Sequence, residues 1–258
     1  MTFTLRLTAD LTLALAARAM GKRNSDPPIL QLSPETDFQT ARHASSCAAP
    51  VGGNGSQPDG SLVSRYRSPI LWIAGGEPLE YPEIARFTNA LASSGRHVFL
   101  QTSGAALKRR LHEFQPSSRF YFAIRFDGAQ PRDEQRSTAD DAHRVGLEAI
   151  RMAQLAGFFT CAHLVVGRKY APGELSALHA EIRTLHVDGF LLTRATDEPG
   201  TIESVRKLRS RFLSRRWALL SRLIESSSLS ALPNARQSNP PPLAESQPAS
   251  FEEGAEAG

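Results

Sequence analysis

The stretch Ile70–Leu79 reads ILWIAGGEPL, an apolar run of strand length that ends in two glycines, a carboxylate and a proline. Gly75 and Gly76 can adopt positive φ and let a ligand approach the backbone. Glu77 supplies an anionic acceptor, and Pro78 restricts the exit from the turn. A helical pattern follows. A buried strand, a glycine turn and a helix together are a common way for an α/β fold to build a small-molecule site at one edge of its sheet.

Five further apolar runs of strand length alternate with helical patterns along the chain. The predicted strands cover residues 29–32, 70–74, 97–101, 120–126, 159–166 and 189–193, and the predicted helices cover residues 83–94, 105–114, 139–156 and 172–185. This alternation favours a parallel sheet with polar strand exits at one end, where barrel active sites lie. The sequence therefore predicts an α/β fold, a partial (β/α)6 TIM-like barrel, over residues 29–200.

Residues 1–28 are predicted to form an amphipathic helix and a linker. Asp10 interrupts the apolar run, which argues against a membrane span and against a signal peptide. We expect the helix to begin at Thr8 or Asp10 and to end near Gly21. Packing on the barrel and contact with a membrane surface both fit this helix, and the first is favoured. These features indicate a cytoplasmic protein, with a peripheral position at the inner membrane face left open.

Three other segments depart from the barrel pattern. Residues 201–225 are predicted to form a basic helix, with seven Lys or Arg side chains against two glutamates. That helix could pack on the barrel or lie on an anionic membrane, and the sequence carries no specific nucleic-acid signal. Residues 226–258 are rich in Ser, Pro, Ala and Glu and are predicted to be disordered. The long polar loop 33–68 is predicted to be flexible.

Three strand exits carry polar turns in a fixed order, namely Gly75-Gly76-Glu77-Pro78, Thr102-Ser103-Gly104 and Phe126-Asp127-Gly128. Their order and spacing resemble the radical S-adenosylmethionine (SAM) superfamily, nearest its hopanoid-biosynthesis branch, over about residues 5–193. In that family the Gly-Gly-Glu-Pro turn contacts the amino group of SAM. The resemblance implies SAM-binding roles for Gly75, Gly76, Glu77, Pro78, Thr102, Ser103 and Asp127.

Each of these polar side chains also has an ordinary structural interpretation. Glu77 could be a solvated turn carboxylate. Thr102 and Ser103 could cap the helix that follows them rather than reach a ribose. Asp127 precedes a glycine, and Asp-Gly is common turn chemistry.

The largest departure from the family lies after the first strand. There the family places Cys-x-x-x-Cys-x-x-Cys, whose thiolates hold a [4Fe–4S] cluster, but the matching positions here are Phe38, Arg42 and Ser45. These side chains cannot replace the soft, anionic sulfur that such clusters require. The chain has only two cysteines, Cys47 and Cys161. We therefore predict no metal site and assign no catalytic residue.

Three hypotheses follow for the function. The first is a degenerate radical SAM domain without its cluster, which acts as a non-catalytic or accessory protein and retains a SAM pocket. The second is an active radical SAM enzyme, hopanoid- or lipid-related, whose cluster is held unconventionally. The third is a membrane-surface scaffold that binds anionic lipid through residues 201–225. The sequence favours the first.

Overall fold

The computed structural model of the protein describes residues 4–20, 26–35, 66–128, 136–167 and 172–231. Six strands form one parallel sheet, which runs β1-β2-β3-β4-β5-β6 in chain order and curls into a half-barrel. The strands are β1 (Ile29–Leu32), β2 (Ile70–Ile73), β3 (His97–Thr102), β4 (Phe120–Gly128), β5 (Phe159–Val166) and β6 (Gly189–Arg194). The mixed α/β architecture and the parallel sheet agree with the predicted partial barrel.

Seven helices accompany the strands in the described part of the chain. They are α1 (Leu5–Ala19), α2 (Ile84–Ser93), α3 (Leu107–Arg110), α4 (Arg136–Leu155), α5 (Pro172–Thr184), α6 (Pro199–Phe212) and α7 (Arg215–Ala231). Short 3-10 turns occupy Pro78–Glu80 and Leu111–Glu113. Within these segments, no helix has both the length and the apolar composition needed to cross a bilayer.

Alternate residues along each strand point to opposite faces of the sheet, and each face has its own core. On the convex face, side chains such as Leu100 and Phe122 pack with α2, α4, α5 and α6. On the concave face, Trp72 and Phe99 pack with Leu7 of α1 and with Trp217 of α7. Helices α1 and α7 therefore fill the interior of the half-barrel, whereas the helices between strands cover its outside.

Helix α7 packs against both edge strands, β1 and β6. Its side chains also accept hydrogen bonds from the edge of β6 that has no neighbouring strand. The amide of Leu192 donates to Ser221 Oγ (3.1 Å), and the amide of Arg194 donates to Glu225 Oε1 (2.8 Å). The carbonyl of Leu192 accepts from Arg209 Nε of α6 (2.8 Å). Two helices thus satisfy the backbone groups that a seventh strand would pair in a closed barrel.

The structure differs from the prediction of one basic helix over residues 201–225. Two helices cover this region, and the chain is extended at Leu213 between them. The break has a physical reason: α6 packs on the convex face and α7 on the concave face, so the chain must turn around the edge of β6. Helix α7 also continues through residues 226–231, which were predicted to be disordered. The rest of that predicted tail, 232–258, lies outside the described residues.

Helix α1 begins earlier than predicted, because Thr4 rather than Thr8 or Asp10 is its N-cap and accepts a hydrogen bond from the amide of Leu7 (3.3 Å). Asp10 instead lies within the helix and anchors it to the sheet, since its carboxylate contacts His97 Nε2 (2.9 Å) and Arg119 (3.0 Å). Burial lowers the pKa of His97, and the hydrogen bond with Asp10 opposes that shift. The predicted packing of this helix on the barrel is confirmed.

Candidate functional site

The Gly75–Gly76 turn lies at the carboxyl end of β2 and has the backbone that its glycines predict. Gly75 has φ of 115° and Gly76 has φ of 55°, both in the region that favours glycine. A Cβ added at Gly75 would lie 2.9 Å from Ser33 Oγ, and one added at Gly76 would lie 3.2 Å from Glu35 Oε1. Ser33 and Glu35, which begin the polar loop, therefore lie against the glycine turn.

Glu77 and Ser103, two of the predicted SAM-binding residues, lie in direct contact. Glu77 Oε2 accepts hydrogen bonds from the Ser103 amide (2.9 Å) and from Ser103 Oγ (2.6 Å). Its other oxygen accepts from the amide of Leu79 (3.2 Å), which follows the buried Pro78. A carboxylate offers about four acceptor sites, so most of the capacity of Glu77 is used within the chain. This pairing joins the turns after β2 and β3.

The helix that follows Thr102 has Ala106 as its N-cap and no side-chain cap, so Thr102 does not have the capping role that was one of its two predicted interpretations. The Thr102 hydroxyl is buried and accepts a hydrogen bond from the amide of Gly104 (3.0 Å). Gly104 has φ of 90°, and a Cβ there would lie only 2.5 Å from the Cβ of Ala149 on α4. Gly104 thus permits both the turn and the close approach of a helix. Gly104 is part of the Thr102-Ser103-Gly104 motif, but the sequence predicted no role for it.

Asp127 lies near the end of β4 and pairs with Arg125, whose Nε is 2.7 Å from Asp127 Oδ1. The side chains of Arg125 and Asp127 are 41% and 60% exposed. The carboxylate is therefore accessible to a ligand, but its guanidinium partner balances its charge.

A cavity of about 390 Å³ opens at the carboxyl ends of the strands, on the concave face. Each strand contributes one polar or aromatic side chain from its inward-facing set: Gln31, Trp72, Gln101, Arg125, His163 and Thr193. Gly75 and Glu225 of α7 also line the cavity. Sequence reasoning missed Gln31, Gln101, His163 and Thr193 as lining residues. The alternation of side chains along each strand could have assigned these residues to one face of the sheet. Which face is concave could be seen only from the positions of the helices.

His163 is the buried titratable group of this cavity. Its Nε2 lies 2.8 Å from Thr193 Oγ1, and its ring meets the ring of Trp72 edge-on at 5.1 Å. Within the described residues its Nδ1 has no hydrogen-bond partner. Burial, together with the positive charge of Arg125, lowers the pKa of His163 to about 3. The imidazole is therefore neutral at pH 7 and presents an unused nitrogen.

We expect His163 to make the protein sensitive to mild acid. In the unfolded chain the imidazole takes up a proton below its ordinary pKa of 6.5, whereas the folded state resists protonation down to about 3. Stability is thus lost as pH falls through this window, by about 1.4 kcal/mol per pH unit and about 2 kcal/mol at pH 5. We expect the free energy of unfolding, measured with urea, to fall between pH 7 and pH 5 by about 2 kcal/mol less in His163→Gln than in the wild type. The surface variant His112→Gln controls for the loss of an imidazole. An equal drop in wild type and His163→Gln would contradict the prediction.

Among the described residues, no set of side chains fits the [4Fe–4S] cluster that the resemblance implies. Cys161 is fully buried on the concave face, where burial raises the pKa of its thiol. Across the described ranges, no three His, Cys, Asp or Glu side chains come close enough together to hold a metal ion. The replaced cluster positions Phe38, Arg42 and Ser45, and also Cys47, lie outside the described residues.

The site therefore combines a glycine turn, a paired carboxylate and a polar cavity at one edge of the half-barrel. Comparison of the chain with models of known protein families and with curated proteins found no match.

Proposed function

We propose that the protein is a non-catalytic, small-molecule-binding domain of the radical SAM type, with SAM as its first candidate ligand. The observation that carries the proposal is the juxtaposition of the Gly75–Gly76 turn with the adjacent 390 Å³ cavity, which Gly75 borders. That volume falls in the range of about 300–1,000 Å³ typical of ligand pockets. The replacement of the three cluster cysteines by Phe38, Arg42 and Ser45 in the sequence is the reason for proposing binding without radical chemistry.

The polar groups that line the cavity, together with Glu77 of the adjoining turn, match the parts of SAM by charge and hydrogen bonding. Glu77 is the acceptor for the ligand ammonium group, and it must release the Ser103 hydroxyl or use its remaining acceptor site. Arg125 is a partly exposed guanidinium that suits a carboxylate. The two glutamine amides of the cavity, Gln31 and Gln101, can donate to and accept from ribose hydroxyls.

A calorimetric titration with SAM tests this function. We expect saturable heat with the wild-type protein and at least tenfold weaker binding by Glu77→Gln, because a hydrogen bond to a charged group contributes about 1.5–3 kcal/mol. Glu80→Gln is the matched control, since Glu80 lies exposed on the same 3-10 turn. Absence of heat with wild-type protein would reject SAM as the ligand. Equal affinity of Glu77→Gln and wild type would reject the role of Glu77.

Anaerobic reconstitution with iron and sulfide separates binding from radical chemistry. We expect no thiolate-to-iron charge-transfer absorbance after removal of excess reagent. A stable cluster in the purified protein would instead favour the active-enzyme hypothesis.

A further inference from the structure

Helix α1 presents an apolar stripe to water on the side opposite its packed face. Leu7 and Leu11 face the sheet and are buried, whereas Leu5 is 83% exposed, Leu13 is 68% exposed and Met20, just after the helix, is 71% exposed. The three exposed side chains recur about every two helical turns, so they share one side of the helix. Along the same side lie two alanines, Ala9 and Ala16. Of the five large exposed hydrophobic side chains among the described residues, three therefore lie on this helix or directly after it.

Exposed arginines also lie on α1 and on α7. The two helices cover the same concave side of the sheet, and a groove between them is lined by Leu15 and Arg18 of α1 and by Leu223 of α7. The exposed cations of the pair are Arg6, Arg18, Arg215, Arg216 and Arg222.

Each carboxylate of these two helices pairs with a cation of another element. Asp10 contacts His97 and Arg119 of the sheet, and Glu225 contacts Arg209 of α6. On the described side chains of α1 and α7, positive charge at the surface is therefore not balanced by a neighbouring exposed carboxylate.

We propose that the exposed leucine, methionine and arginine side chains just described, which together we name the α1–α7 face, bind an anionic lipid bilayer. The leucine and methionine side chains would enter the boundary between headgroups and acyl chains, and the arginines would contact lipid phosphates. A second copy of the chain fits the charges less well, because a two-fold interface places the same patch against itself and brings the arginines together. Nucleic acid would pair with the arginines but would leave the leucines in water.

Vesicle flotation with the full chain tests the proposal. We expect the protein to float with vesicles that contain one third phosphatidylglycerol and to remain at the bottom with pure phosphatidylcholine. Raising the salt from about 0.1 M to about 1 M should release it, because the screening length falls from about 10 Å to about 3 Å. Replacing Arg216 and Arg222 by alanine should weaken binding about 30-fold, at about fivefold for each arginine. Arg151→Ala, on the convex side, is the matched control for an exposed arginine.

A second pair of variants tests the apolar stripe. The double variant Leu5→Gln/Leu13→Gln should weaken vesicle binding at least tenfold while leaving the urea midpoint unchanged, because both side chains are exposed in the free protein. Leu155→Gln is the control, since Leu155 is 90% exposed on α4. Equal binding to neutral and anionic vesicles, or stripe variants that bind like wild type, would overturn the proposal. A dimer in sedimentation that Leu13→Gln dissociates would also overturn it, because it would assign the face to a second copy.

Discussion

Replacing Glu225 by alanine is expected to lower the free energy of unfolding by about 3–5 kcal/mol, the range for removing one partner of a buried ion pair. Glu225 Oε1 lies 2.8 Å from Arg209, whose side chain is 10% exposed, and accepts from the Arg194 amide. The variant leaves the Arg209 guanidinium buried without its counter-ion. It also leaves an amide at the edge of β6 without its acceptor. Both losses act at the contact that holds α7 to the sheet.

Urea unfolding measures this effect, and Glu203→Ala is its control. Glu203 pairs with Arg206 and Lys207 on the exposed side of α6, so its removal should cost much less than the removal of Glu225. The double variant Arg209→Met/Glu225→Leu should recover part of the loss, because no buried charge is then unpaired. Similar costs for Glu225→Ala and Glu203→Ala would mean that α7 is not fixed by this pair.

Replacing Trp217 by alanine is expected to lower the free energy of unfolding by about 3–5 kcal/mol, as for other buried aromatic side chains. Trp217 is 1% exposed and lies over Gly189 at the start of β6, beside Cys161. Its removal opens a cavity between α7 and the concave face. If α7 were a free basic helix, the same change would have little effect on the urea midpoint.

Gly189→Ala supplies the partner variant, because a Cβ at Gly189 would overlap the Trp217 ring and lie 2.6 Å from Cys161 Sγ. This overpacking should cost about 1–3 kcal/mol on its own. In the Trp217→Ala background the methyl group enters vacated space, so the same change should cost less, although the contact with Cys161 persists. Gly200→Ala is the control, since nothing lies within 4 Å of a Cβ at that position. Purely additive costs would argue against direct packing of Gly189 on Trp217.

The strands and the glycine turn were predictable because their signals are local. Apolar runs of four to eight residues, separated by helical patterns, correspond to the six strands with ends shifted by a few residues at most. Gly75 and Gly76 adopt positive φ as their lack of a Cβ allows. The division of the basic segment into α6 and α7 was not predictable in this way, because it depends on which face of the sheet each part covers.

The candidate site was only partly predictable. The order of the motifs predicted that Glu77 and Ser103 lie at the same edge of the sheet. It did not predict the hydrogen bonds between them, because those depend on the distance between the two turns. His163 and Thr193 carry no motif. They meet in the cavity because parallel pairing of β5 and β6 places them on neighbouring strands of the concave face.

The opening stretch, Ile70–Leu79, by itself determined a buried strand, a left-handed glycine turn and a carboxylate directly after that turn, because these depend on local backbone freedom and apolar pattern. Only the tertiary structure decided that the Glu77 carboxylate accepts hydrogen bonds from Ser103 and that α1 and α7 fill the half-barrel. It also decided that Glu225 pairs with Arg209. The physical reason is that these contacts join residues far apart in sequence. Their formation depends on how the sheet curves and on which helix covers each face.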